Sequence, residues 1–102
     1  MMKLILKHSY RCPISARAKG EVDRFLKKYQ VEHHDPLDFE LVDVVENRDR
    51  SDEISRQTGI NHESPQAILF DKKGRVCWHC SHRQVTREAL LEAVCKYREI
   101  TE

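Results

Sequence analysis

Leu4-Ile5-Leu6-Lys7-His8-Ser9-Tyr10-Arg11-Cys12-Pro13-Ile14-Ser15 is the segment on which the fold turns. Leu4 to Leu6 is a short continuous apolar run, the pattern of a central strand covered on both faces, with Lys3 and Lys7 on either side of it. His8 to Pro13 reads as a loop ending in proline. From there Ile14, Ala18, Val22, Phe25, Leu26 and Tyr29 recur at helical spacing. Proline suits a first helical position because the N–H it lacks would have had no partner there. The spacing therefore predicts a helix beginning at Pro13, with Cys12 at its N-cap. Gly20 weakens the middle of that helix by about 1 kcal/mol relative to alanine, which the apolar stripe absorbs.

The rest of the chain alternates in the same way. His33-His34-Asp35-Pro36 breaks the helical pattern as a turn, with His33 and His34 on a loop surface. Phe39 to Val45 reads as a second strand. Asn47 to Thr58 reads as a short surface helix with Ile54 as its apolar contact, closed by Gly59; Arg48-Asp49-Arg50 reads as its solvated face. Ser64-Pro65 leads into a third strand, Gln66 to Phe70. Asp71 to Gly74 forms a hairpin loop, and Arg75 to Cys80 a fourth strand. Strict alternation there puts Val76, Trp78 and Cys80 on one face and Cys77 and His79 on the other. Thr86 offers an N-cap to a last helix striped by Leu90, Leu91, Val94, Cys95 and Arg98. The predicted order is β-α-β-α-β-β-α, an α/β fold with a four-stranded mixed sheet and helices on both faces.

The chain has 102 residues, which predicts a single domain burying about two thirds of its unfolded surface. That is enough core to hold without disulfide staples. Its 18 Lys+Arg against 17 Asp+Glu leave a formal charge of +1, too little for a general nucleic-acid or membrane binder. The Leu4–Leu6 run is far shorter than a secretory h-region of ~7–15 residues or a spanning helix of ~20. The expectation is a monomer in a reducing cytoplasm that binds neither nucleic acid nor membrane. In that setting free cysteines are buried, metal-bound or catalytic rather than bridged.

Cys12 is the candidate for chemistry. A helix N-terminus gathers unpaired N–H groups at the positive end of the helix dipole, and both favour thiolate over thiol. A cysteine at the usual pKa of about 8.5 is only ~3% ionised at pH 7, whereas helix N-termini bring that pKa into the ~3.5–7.5 range. Arg11 adds a neighbouring cation, and Ser15, one turn into the helix, can offer a hydroxyl to the sulfur. The plainer reading of any free cysteine is a small buried hydrophobe. Ser64-Pro65 has a plain reading too, because proline is tolerated at the start of a strand.

Taken together, Leu6-Lys7-His8-Ser9, Cys12-Pro13-Ile14-Ser15, His62-Glu63-Ser64-Pro65-Gln66 and Trp78-His79-x-Ser81-His82 resemble the monothiol bacilliredoxins, thioredoxin-like proteins of the bacillithiol redox system. The resemblance runs from about Lys3 to the final helix. It implies a thioredoxin-like fold and removal of bacillithiol from S-bacillithiolated client proteins, with bacillithiol as co-substrate and no bound cofactor or metal. Cys12 matches the family's attacking cysteine and Pro65 the cis-proline facing it. Ser15 stands where dithiol relatives carry a resolving cysteine. His79 and His82 belong to the same pattern and would either line the thiol pocket or cap and hydrogen-bond the strand end. Arg11 departs from the family's usual threonine, and Cys77, Cys80 and Cys95 lie outside its pattern.

The remaining readings are weaker. A disulfide between Cys77 and Cys80 fails on geometry, since three strand residues span roughly 10 Å and a bridge needs Cα atoms within ~7 Å. Zinc would need a closed turn in place of the strand. Cys95 reads as packing, and His8, ending the first strand, as either a proton relay for Cys12 or a structural histidine. Two rival functions stay open from sequence. One is a non-catalytic thioredoxin-fold module or thiol sensor. The other is an iron–sulfur carrier of the monothiol glutaredoxin kind, whose Cys-Gly-Phe-Ser motif differs from Cys12-Pro13-Ile14-Ser15 at both middle positions.

Overall fold

A computed structural model describes residues 1–32 and 36–98. The elements run β1 (Met2–His8), α1 (Pro13–Glu32), β2 (Leu37–Asp43), α2 (Arg48–Thr58), β3 (Gln66–Phe70), β4 (Val76–Ser81) and α3 (Arg87–Arg98), with a 3-10 turn at His82–Gln84 before α3. The predicted element order is the one observed. The turn read at His33-His34-Asp35 lies outside the described residues.

The sheet order is β2-β1-β3-β4. β1 runs parallel to β2, a pairing that requires a crossover, here α1; it runs antiparallel to β3. The continuous apolar run thus is an interior strand, as its pattern requires. Leu4 and Leu6 face a cluster with Val22, Phe25 and Tyr29 of α1 and Leu90 and Val94 of α3. Ile5 faces the opposite side, where Val42, Ile68 and Ile54 of α2 meet it. Helices therefore cover both faces. Among the described residues no helix is long and apolar enough to cross a membrane.

Local chemistry sets the element ends. β2 starts and stops two residues earlier than predicted. Its end is fixed at Asp43, whose Oδ1 accepts the N–H groups of Val45 at 2.9 Å and Glu46 at 3.0 Å and turns the chain away from the sheet. Gly59 caps α2 in the left-handed conformation at φ 73°, where its N–H reaches the Ser55 carbonyl. Thr86 caps α3 by accepting the Ala89 N–H at 3.1 Å.

Three expectations are corrected. The face assignment in β4 fails at an irregularity in the ladder: Leu69 pairs with Trp78 and Phe70 with Val76, leaving Cys77 unpaired between them. That extra residue breaks the alternation. Cys77 packs with Trp78 and Cys80 against the α1–α3 cluster, while Val76 joins the opposite side. Arg50 is not a solvated residue but bonds both oxygens of Glu40 on β2, each at 2.8 Å, and so ties α2 to the sheet. On α3 the buried line runs through Leu90, Ala93 and Val94, and Cys95 is only half-buried.

Candidate active site

The approach to α1 is a tight turn shaped by Ser9. Its carbonyl accepts the Cys12 N–H at 3.3 Å, and its hydroxyl accepts the Arg11 N–H at 3.2 Å. The Cys12 carbonyl then takes the Ala16 N–H at 3.0 Å, the first bond of the helix. Cys12 is therefore the N-cap, as its place before Pro13 predicts. An N-cap side chain accepts from the second and third helical N–H groups, here those of Ile14 and Ser15.

Those bonds govern the sulfur. The Ser15 N–H first, then the Ile14 N–H, hold the Cys12 pKa below the usual cysteine value, with a smaller contribution from the Ser15 hydroxyl; partial burial opposes them. Arg11, expected to assist, is exposed, and its charge is felt at Asp43, whose carboxyl lies low chiefly through the Glu46 N–H. Cys77 and Cys80 go the other way. Burial pushes each thiol up to about 11, so near neutrality both stay protonated. Of these three thiols, Cys12 is the one whose surroundings favour the anion.

Ser15 is fully buried and heads the inner stripe of α1, where Ile14 was expected. Its hydroxyl lies 3.5 Å from that of Ser64, and the Ser64–Pro65 peptide bond is cis. The first turn of α1 and the loop entering β3 thus meet at these two serines.

His82 closes the far side. Among the described residues it is the non-glycine one with positive φ, 56°, and its N–H donates to the Pro65 carbonyl at 2.8 Å. Its Nε2 lies 2.7 Å from Glu63 Oε1. Side chains held in such sparsely populated backbone regions gather at functional sites. His79 and His82, together with Ile14, Glu63 and Arg83, line an open groove of about 530 Å³ that begins at the first turn of α1.

Cys12, Pro13, Ser15, Ser64, Pro65, His79 and His82 are therefore brought to one end of the sheet. His8 ends β1 inside the protein. It is 1 % exposed, stacks edge-on against Tyr10 at 4.4 Å, and has its pKa lowered by burial, with Asp43 and Lys19 as its charged neighbours. Sequence reasoning gave no role to Ser9 or to Glu63. It also placed Lys7 at the edge of the strand, whereas Lys7 is enclosed; its parity with Ile5 was the available signal.

Comparison with known proteins settles the family. A model of the monothiol bacilliredoxin BrxC family matches residues 1–90. The chain belongs to the monothiol bacilliredoxin family. This bacilliredoxin superposes on a solved structure described as a candidate oxidoreductase with a thioredoxin fold, with TM-score 0.80 and 35% identity over 90% of this chain and 76% of that one. It also matches the thioredoxin of Fasciola hepatica at TM-score 0.71 and 15% identity, over 95% of this chain and 81% of that one. Thioredoxin 1 of Thermosipho africanus gives TM-score 0.69 and 18% identity over 96% of each chain. The last two likenesses establish the fold alone, a thioredoxin-like α/β sheet.

Proposed function

We propose that this bacilliredoxin is a monothiol thiol–disulfide oxidoreductase that removes bacillithiol from S-bacillithiolated client proteins, with Cys12 as nucleophile. Family membership and a thioredoxin-fold relative described as a candidate oxidoreductase support thiol redox chemistry. The observation that carries the assignment to Cys12 is the pair of N–H groups, from Ile14 and Ser15, that stabilise its thiolate.

In the first step the Cys12 thiolate attacks the bacillithiol sulfur of the client's mixed disulfide. A Cys12–bacillithiol disulfide forms, the old S–S bond breaks, and the client leaves as thiolate to take a proton from solvent. Ser15 cannot form an internal disulfide, so a second bacillithiol thiolate attacks the adduct at the bacillithiol sulfur. Cys12 returns as thiolate and oxidised bacillithiol leaves, so that the client–bacillithiol disulfide is exchanged for a bacillithiol–bacillithiol disulfide, with one free bacillithiol thiolate consumed and one client thiolate released. The rate depends on the thiolate fraction, the leaving-group pKa and access to the sulfur. Cys12 is only half-buried, which leaves it open to a disulfide partner.

The test is turnover of a bacillithiolated client with excess reduced bacillithiol. Wild type is expected to release client thiol repeatedly, Cys12→Ser not at all, and Cys95→Ser at the wild-type rate. Turnover retained in Cys12→Ser overturns the proposal. A wild type that takes one adduct and never recycles is a thiol sensor instead.

A further inference from the structure

Lys7 is fully enclosed, at 0 % exposure, and lysine is almost never so unless it is paired. An ammonium has three N–H donors, and three acceptors meet this one: the Ser51 carbonyl at 3.0 Å, the Ser55 hydroxyl at 2.8 Å and His62 Nδ1 at 3.4 Å. None of the three is a carboxylate. Burial lowers the lysine pKa, and the nearby Asp52 charge partly opposes it. His62 Nδ1 also lies 3.3 Å from the Ser51 hydroxyl. Burial and then the Lys7 charge lower the His62 pKa, which favours the neutral ring, the form that has a nitrogen lone pair to offer Lys7.

These contacts reach a particular place. Ser51 and Ser55 belong to α2, and His62 to the loop that ends in Ser64 and the cis bond to Pro65. The same loop is held at a second point, where Gln66 Nε2 donates to the Asn61 carbonyl at 3.0 Å. Gln66 is the residue directly opposite Lys7 in the β1–β3 ladder. One side-chain pair on neighbouring strands therefore grips Asn61 and His62, the residues that lead into Ser64. β1 itself leads within five positions to Cys12.

We propose that Lys7 is a positioning residue for thiol exchange: through His62 it fixes Ser64 and Pro65 against the first turn of α1, so that a bulky disulfide seats in line with the Cys12 sulfur. The proposal rests on the exchange function assigned to Cys12. It separates two reactivities. A small electrophile needs only the thiolate, which the α1 backbone makes without Lys7. Exchange with a large disulfide also needs the loop in place, and misplacement of about 1 Å costs up to 10²-fold where orientation matters.

Two rates decide it, measured on wild type, Lys7→Met and His62→Ala. One is alkylation of Cys12 by iodoacetamide, and the other is exchange of Cys12 with a cysteine peptide held as its mixed disulfide with bacillithiol. The expected result is exchange reduced by about tenfold or more in both variants, with alkylation unchanged. A contact that only stabilised the fold would lower Tm and leave the ratio of the two rates alone. His62→Ala keeps the Ser51 and Ser55 bonds to Lys7, so it decides the matter if Lys7→Met does not fold. Unchanged exchange in folded His62→Ala overturns the proposal, as does an equal loss of both rates. A wild type that alkylates but does not exchange overturns the parent function, and this proposal with it.

Discussion

The Ser15 hydroxyl lies 3.5 Å from the Ser64 hydroxyl, across 49 positions of sequence. Through this contact the helix whose N–H groups lower the Cys12 pKa meets the loop that carries the cis Ser64–Pro65 bond. Ser15 touches both halves, giving its N–H and hydroxyl to the sulfur on one side and facing Ser64 on the other. In the proposed exchange, a serine at that same position leaves Cys12 without a resolving thiol one turn away.

Replacing Ser15 by cysteine is expected to convert the chemistry to a dithiol kind. A second thiol three positions into the helix recreates the Cys-x-x-Cys arrangement in which such thiols are reactive. On reaction with a bacillithiol mixed disulfide, Ser15→Cys loses the adduct and becomes an internal disulfide, lighter by two hydrogens. Intact-mass spectrometry reads the difference. A stable adduct on Cys12 in this variant contradicts the account.

Glu40 makes the fold sensitive to acid. Arg50 first, and Lys3 at 2.9 Å, hold its carboxyl down at about 2 in the folded protein, against an ordinary value of 4.5. A carboxylate depressed on folding stabilises fully above the unfolded value, and that stabilisation is lost as pH falls from 4.5 towards 2. Because the pair is partly solvent-exposed, Glu40→Gln is expected to cost about 1–2 kcal/mol at pH 7. Urea titrations of the variant and wild type should converge as the pH nears 2. Equal stability at pH 7 contradicts this.

The fold was largely legible because its signals are local. The apolar run at Leu4–Leu6, the stripe from Ala18 to Tyr29, Gly59 and Thr86 each act over one turn or one strand. The N-cap position of Cys12 followed from Pro13 by the same short-range logic. What escaped depends on contacts distant in sequence. The irregularity that turns Cys77 inward is a property of the β3–β4 pairing, invisible to alternation read along one strand. Arg50 looked solvated because Glu40, its partner, lies ten positions away on another element. Lys7 looked like a flank because its three acceptors come from residues 51–62. His8 was placed correctly along the chain, but its burial depends on the packing of the β1–α1 corner.

The central claim is that the first turn of α1 holds the Cys12 thiol below the ordinary cysteine pKa, while burial raises Cys77 and Cys80. Alkylation by iodoacetamide across a pH series, resolved by peptide mass spectrometry, tests it most directly. Cys12 is expected to react with a midpoint below the usual cysteine pKa of about 8.5, while Cys77 and Cys80 stay unreactive until pH approaches about 11. A Cys12 that reacts only at or above the ordinary midpoint, or that is modified after Cys77 or Cys80, contradicts the account.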